Sequence, residues 1–422
     1  MSVPESFDLI VVGGGTAGAI SAIAAAREGL SVAVIEKNSY LGGTMTGSGL
    51  TEMNAAGFQG TPLYHGLEKE IFDEMIAGGY AEYHFGVPMS SNKEVKIDRL
   101  RFDPEQTKLL LDKKAAESGV TLFYETMLDA AEEKEDCCIV HAHSLYESFP
   151  LTSQYLIDAT GNADLIRKLG KETIKTDAQK QLVSTLMFRL SNVDQEPLNR
   201  FIHSGELSKV IQDGYDTGIL KGKILAFTPI PNTKDVSLNV TRAKFDYEDA
   251  RAASKGLMEA RRQILPVHHF IRGRVPGMEH SYISSIANSI GIRESRRIYG
   301  QYTLTLDDLE QMIPFEDSVA CGCYPMDIHD PVTNTVIWKV LPGVYHIPYR
   351  SLLPKGLHRT LVAGKCLSAE KEAFAAIRVM PIMMNVGESA GYAVAFAKRE
   401  GRKLDELTAA SLSSYLKQKY SR

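Results

Sequence analysis

Asp8-Leu9-Ile10-Val11-Val12-Gly13-Gly14-Gly15-Thr16-Ala17-Gly18 opens the chain's first apolar run and breaks it with a glycine turn. Ser21-Ala22-Ile23-Ala24-Ala25-Ala26-Arg27 then supplies an alanine-rich helix, and Ser31-Val32-Ala33-Val34-Ile35 reads as a buried parallel strand. A carboxylate, Glu36, closes that strand eighteen positions after Gly18. In this frame Gly13 permits the tight turn, Gly15 admits a pyrophosphate to the backbone, and Gly18 lets the helix lie close on the sheet. Thr16 and Ala17 begin the helix, whose unpaired N–H groups and partial positive charge suit phosphates. Glu36 would accept hydrogen bonds from an adenosine ribose and repel a 2′-phosphate. The stretch predicts a dinucleotide site.

Which dinucleotide follows from three later signals. Glu36-Lys37 leads into Leu41-Gly42-Gly43-Thr44, a second glycine turn just beyond the ribose acid. Tyr155-Leu156-Ile157-Asp158-Ala159-Thr160-Gly161 is an apolar strand ending in another turn. Thr360-Leu361-Val362-Ala363-Gly364-Lys365 passes through Arg378-Val379-Met380-Pro381 into a helix over residues 382–398. This order resembles flavoproteins of the glutathione-reductase-like fold, in which the carboxy terminus closes an FAD-binding domain. That resemblance implies FAD, held by Gly13, Gly15, Thr16, Ala17, Gly18, Glu36, Lys37, Gly42, Gly43, Thr44, Met127, Ala159, Thr160, Gly161, Gly364 and Pro381. No histidine stands near Gly42-Gly43, so attachment is expected to be non-covalent.

The middle of the chain carries longer motifs: Gly291-Ile292-Arg293-Glu294-Ser295-Arg296-Arg297-Ile298, Tyr302-Thr303-Leu304-Thr305, Tyr324-Pro325-Met326-Asp327-Ile328-His329-Asp330-Pro331, and Ile347-Pro348-Tyr349-Arg350-Ser351-Leu352-Leu353-Pro354. These resemble a bacterial family of FAD-dependent oxidoreductases related to the flavoprotein subunit of heterodisulfide reductase and, distantly, to fumarate reductase. The resemblance covers nearly the whole chain, with gaps around residues 132–150 and 192–222. It implies an oxidoreductase and leaves the metabolite open.

Bulk properties fit a soluble cytoplasmic enzyme. The 422 residues are 44% hydrophobic and 23% charged, enough for a large core in two joined domains. A net charge of −5 offers no basic field to nucleic acid. Met1–Glu5 lacks a basic leader, and the most apolar stretch, residues 382–397, carries Asn385 and Glu388, so no membrane partner is expected. Five cysteines form neither a CxxC pair nor a ferredoxin-type run, which argues against a redox dithiol, an iron–sulfur cluster or another metal.

The expected architecture is α/β: a Rossmann-like FAD-binding domain in two parts, residues 1–185 and 345–422, with an inserted α+β substrate (cap) domain over residues 186–344. Helices are predicted over 63–76, over 104–118 with Asp103 as cap and Gln106 as its capping-box partner, and as one long element over 248–271. Strands are predicted over 120–124, 137–143, 154–158, 187–190, 236–240 and 282–286. No second nucleotide fingerprint is present. Electrons must therefore pass to or from a small-molecule substrate and an unknown donor or acceptor directly at the flavin.

Four residues are candidates for the chemistry. Arg378, ahead of the last long helix, would stabilise reduced anionic flavin. His329, flanked by Asp327 and Asp330, is expected to have a raised pKa and to move a proton. Arg293 would clamp a carboxylate from one face of a strand over residues 293–297, while Arg296 and Arg297 suit an ion-pair net. Tyr349 stands at the return from the insert, as substrate contact or staple. Hydride transfer between flavin and a small organic molecule is the expected reaction; the alternatives are a fumarate-reductase-like alkene reductase and a non-enzymatic flavin-binding redox sensor.

Overall fold

In a computed structural model, which describes residues 5–89, 92–330 and 335–420, the opening strand Glu5–Val12 lies at the centre of a seven-stranded sheet. Val32–Ile35 pairs parallel on one side, followed by Thr121–Phe123. Ser148–Asp158 pairs parallel on the other side. The far edge of Ser148–Asp158 is shared: residues 148–153 pair antiparallel with Cys138–His143, and residues 156–158 pair parallel with Thr360–Val362. Four-residue Val32–Ile35 is wholly buried because this sheet is covered on both faces, which is why its sequence does not alternate.

The glycine turns after Val12, Asp158 and Val362 all emerge at the carboxyl ends of these parallel strands, the edge where open α/β sheets place ligands. Behind them, Thr16–Arg27 packs along the long helix Met380–Glu400. Small residues make that crossing close: a Cβ on Gly387 would come within 2.3 Å of the Ala17 carbonyl oxygen, and one on Gly391 within 2.4 Å of that of Ser21. The last helix is thus locked against the nucleotide-binding helix by sequence-distant glycines.

A second, antiparallel four-stranded sheet runs in the order Ala226–Pro229, Val236–Asn239, Phe188–Ser191, Tyr282–Ile286. It has its own apolar core, including Leu190, Leu238, Val267 and Phe270. It touches the segment after the second glycine turn, where Ser289 N–H donates to the Gly47 carbonyl (3.1 Å) and Ser237 Oγ to that of Gly49 (2.6 Å).

Several sequence expectations need correction. The helix over 248–271 is two helices, Ala250–Arg262 and Ile264–Arg272. Pro266 removes an N–H and crowds the preceding turn. Gln263 at the break bonds both backbone groups of Arg242 (2.9 and 2.8 Å). Residues 293–295 are not strand; only Arg296–Ile298 is, against Thr173–Lys175. The helix expected from residue 63 is Gly66–Ala77, and Asp103 accepts from Glu105 N–H with no capping bond from Gln106 among the described contacts. A further sheet of Thr61–Pro62, Glu52–Phe58, Asn92–Phe102 and Ala81–Met89 had no sequence expectation at all, its strands being charged and bulged. Residues 1–4, read for a leader, and Pro331 of the 324–331 motif lie outside the described residues. Among the described residues no helix is long and apolar enough to cross a membrane.

Candidate active site

The three glycines of the opening turn differ in what demands them. Gly13 has φ +100°, and a Cβ there would fall 2.6 Å from the Ala159 carbonyl oxygen. On Gly18 a Cβ would fall 1.9 Å from the Gly13 carbonyl oxygen. The fold itself requires both. Gly15 is different: its φ is −65°, open to any residue, and a Cβ would meet only the Ala159 carbonyl oxygen, at 3.7 Å. No protein atom explains that glycine, whereas a pyrophosphate against the backbone does. The residues therefore fit FAD.

Around that turn the sequence-read residues gather. Thr16 Oγ1 donates to the Gly42 carbonyl at 3.0 Å, and Gly42 N–H to that of Gly14 at 2.8 Å, so the two glycine turns are stitched together. Gly43 lies beside Gly15, Thr44 is exposed at a short helical turn, and Lys37 is exposed. Glu36 is buried; one carboxylate oxygen accepts from Gly14 N–H (2.7 Å), the other from the Asn38 backbone and side-chain amides (2.8 and 2.6 Å). Its carboxylate is oriented by the protein and keeps lone pairs for a ribose. Met127 follows Thr126, whose N–H bonds the Glu36 carbonyl at 3.0 Å; its side chain is exposed at a strand start.

Further along the edge, Ala159 and Thr160 lead to Gly161, whose carbonyl accepts from Lys365 Nζ (2.7 Å) and Ser295 Oγ (2.8 Å). Burial pushes the Lys365 ammonium down to about 8. Lys365 follows Gly364 directly, and a charge immediately after a glycine turn was the available signal for it. Beyond lies Pro381, in the first turn of the Met380–Glu400 helix.

Just before that helix a polar cluster is enclosed. Arg378 Nη2 pairs with Asp327 Oδ1. Asp327 Oδ2 accepts from the Tyr324 hydroxyl at 3.1 Å and faces His329 Nε2 at 3.4 Å. Burial works against the Asp327 carboxylate, but Arg378 and His329 hold its pKa below the ordinary value. The raised pKa expected for His329 is overturned. Burial, followed by the charge of Arg293, pushes the imidazole down to about 3, and Asp327 does not compensate. His329 is neutral at physiological pH.

The charge of Arg293, just before the strand Arg296–Ile298, acts on the same cluster. Arg293 Nη1 donates to the Val183 carbonyl (2.5 Å) and Thr185 Oγ1 (2.8 Å). Arg242 Nη1 donates to the same Thr185 oxygen at 2.9 Å. Arg242 and Thr185 had no place in the sequence reading; a lone basic residue after an apolar strand gave little to find. Arg296 and Arg297 turn instead to Glu248 (2.5 Å) and Glu294 (3.0 Å). Tyr349 is not part of the cluster: it is enclosed, and its hydroxyl donates to the Leu404 carbonyl at 3.1 Å, fastening the return crossing. An open cavity of about 550 Å³ lined by Lys168, His358, Arg359 and Lys403 lies at the amino end of Thr360–Val362, the sheet edge opposite the glycine turns.

Glycine turns fitted to a dinucleotide, with a polar cluster at the far end, define a flavoprotein of the oxidoreductase class. The sequence profile of the family of FAD dependent oxidoreductases matches residues 8–416, and the chain belongs to that family. It is an FAD enzyme. The chain is 30% identical over 200 residues to a 1H-pyrrole-2-carbonyl-(peptidyl-carrier protein) brominase of Pseudoalteromonas luteoviolacea, covering 43% of this chain and 44% of that one. It is 33% identical over 94 residues to a dihydrolipoyl dehydrogenase of Trypanosoma brucei brucei, 22% of this chain and 19% of that one. It thus spans less than half the length of the curated relatives it matches. Solved structures that it resembles include a geranylgeranyl bacteriochlorophyll reductase-like protein from Thermoplasma acidophilum (TM-score 0.51, 14% identity, 99% of this chain and 83% of that one). Another is p-nitrophenol 4-monooxygenase from Pseudomonas putida (TM-score 0.50, 10% identity, 99% and 85%). At these identities they share the fold alone.

Proposed function

We propose that this enzyme transfers a hydride between FAD and a small organic substrate that meets the flavin beneath the insert. Residues 1–185 and 345–422 form the cofactor domain in this reading, and residues 186–344 the substrate cap. When bound, FAD supplies two-electron acceptance or donation. The chain's part is to hold it along the glycine turns, exclude water and manage charge and protons. Arg378 sets a positive charge beside the start of the Met380–Glu400 helix, and His329 is the imidazole that takes up or returns the substrate's proton. The five cysteines are free thiols, which suits a reducing compartment such as the cytoplasm.

One observation carries the reading: Gly15, a glycine that no protein contact requires. Gly15→Val is therefore expected to fold, because its φ suits any residue and a Cβ there meets only the Ala159 carbonyl oxygen, yet to be purified without flavin. The checks are the absorption band near ~450 nm and circular dichroism. A folded Gly15→Val protein with full FAD content overturns the site. Flavin that stays with the chain after acid precipitation contradicts non-covalent attachment. Substrate-dependent anaerobic bleaching of the flavin, slowed by a primary kinetic isotope effect when the transferred hydrogen is deuterium, tests the hydride step.

A further inference from the structure

The Arg242–Thr185–Arg293 group is unfinished in a way the protein does not repair. Arg242 is 7% exposed, and its Nη1 donates to Thr185 Oγ1, the Thr241 carbonyl (3.1 Å) and, at 3.5 Å, Asn239 Oδ1. Its Nε and Nη2 have no protein acceptor among the described residues yet are not fully enclosed, Arg293 is half-buried, and neither arginine forms an ion pair among the described residues. Thr185 Oγ1 accepts from both guanidinium groups, so it draws them together although their charges repel. Asp327 is the carboxylate of this neighbourhood, and Arg378 already pairs with it. Arg293 feels the Asp327 charge, but it is Arg378 that is hydrogen-bonded to it.

A guanidinium keeps its charge at neutral pH. Two planar forks held side by side by one hydroxyl, with outer donors free of protein partners and open to solvent, match a carboxylate, which accepts bidentately. We infer that Arg242 and Arg293 form the recognition site for a carboxylate on the substrate, held on the cap side of the cluster that contains His329. This rests on the reading of an FAD enzyme with a substrate cap, and it adds the substrate class: small organic acids. Burial is the main cause that holds down the proton affinity of His329 and would persist; the bound carboxylate would offset the smaller contribution of the Arg293 charge.

The test uses the FAD-loaded enzyme with benzoate as the anionic probe, benzamide as its neutral counterpart and inorganic phosphate as a second anion, read by isothermal titration calorimetry. Benzoate should bind saturably and benzamide should not. Arg242→Gln and Arg293→Gln should each weaken benzoate by about 10- to 100-fold, the value of a charge-assisted hydrogen-bonded contact, with FAD content unchanged. Arg242→Lys, a point charge without the fork, should recover part of the affinity. Arg242→Gln should not lower the melting temperature, because a buried charge without a counter-ion is being removed.

Saturable phosphate binding in place of benzoate overturns the carboxylate assignment. So does equal binding of benzamide, unaltered benzoate affinity in both variants, or no benzoate binding at all. Loss of flavin from Arg242→Gln would assign the pair to the cofactor and also overturn it. Wild-type protein that carries no flavin would fail the underlying reading instead, which absorbance reports independently of the titration.

Discussion

At the approach to the Met380–Glu400 helix, Arg378 pairs with Asp327 and Arg293 adds its charge, while two turns into it Asn385 and Glu388 meet Glu68 with no paired cation among the described residues. Both clusters are buried, and both leave polar atoms unpartnered: Arg378 Nε in the first, and Glu68 Oε1, Asn385 Oδ1 and Glu388 Oε2 in the second. They differ in how the imbalance can be relieved. Carboxylates take up protons. Burial, then the mutual charge of the pair, raises Glu68 well above its ordinary value, and burial pushes Glu388 up to about 7. Guanidinium groups have no such recourse. An acidic cluster can neutralise itself and serve as packing, whereas a basic one keeps its charge at neutral pH. The cationic cluster lies where the glycine turns end; the acidic one is closed off by the Gly66–Ala77 helix, whose Leu67 N–H bonds Glu388 at 2.8 Å.

The sharpest way to break this contrast is to remove the single carboxylate of the cationic cluster. Asp327→Asn should destabilise the protein by about 3–5 kcal/mol, since it strips compensation from buried guanidinium charge. Glu68→Gln, replacing a carboxyl whose pKa burial and the neighbouring Glu388 raise well above the ordinary value, should cost far less. Urea unfolding followed by circular dichroism compares them, and equal losses would mean that the two clusters are built alike.

A smaller effect concerns pH. Folding raises the Glu388 pKa from 4.5 to about 7. Its contribution to stability is therefore fully present below pH 4.5 and lost as the pH climbs through 7. At most about 3 kcal/mol disappears across that window, from 1.36 kcal/mol per unit. Subtracting the stability–pH curve of Glu388→Gln from that of the wild type should expose this slope. Parallel curves would show that Glu388 is charged throughout.

The smallest expected effect is a titration. Held down to about 3, the His329 ring should show no protonation in its NMR signals between about pH 5 and pH 8. Arg293→Gln should lift its pKa by roughly 1 unit, equivalent to ~1.4 kcal/mol. If the ring titrates near its ordinary 6.5 in the wild type, the cationic field is already offset by the protein itself.

Local pattern determined a definite part of this molecule. Glu5–Val12, the turn, Thr16–Arg27 and Val32–Ile35 follow from an apolar run, glycines at fixed offsets and an alanine-rich helix, all within contiguous sequence. The acid at residue 36, the second glycine turn and the turns at 161 and 364 were legible for the same reason: backbone conformations that favour glycine leave a mark at one position. The two-helix break at Gln263 was half-legible, since Pro266 was in view but the bonds from Gln263 to Arg242 were not.

What only the tertiary structure decided is which side chains meet. Arg242, Arg293, His329 and Arg378 come from four separated segments, and each is unremarkable in its own surroundings. The sign of the His329 shift was misread for that reason: its sequence neighbours Asp327 and Asp330 are acidic, while burial, the larger cause, and the charges of Arg293 and Arg242 are set by the tertiary structure. Tyr349, next to Arg350 in a conspicuous motif, was drawn instead to the Leu404 carbonyl. Turn geometry is a property of neighbours along the chain. Electrostatic environment in a buried site is a sum over neighbours in space, and no local stretch of sequence contains it.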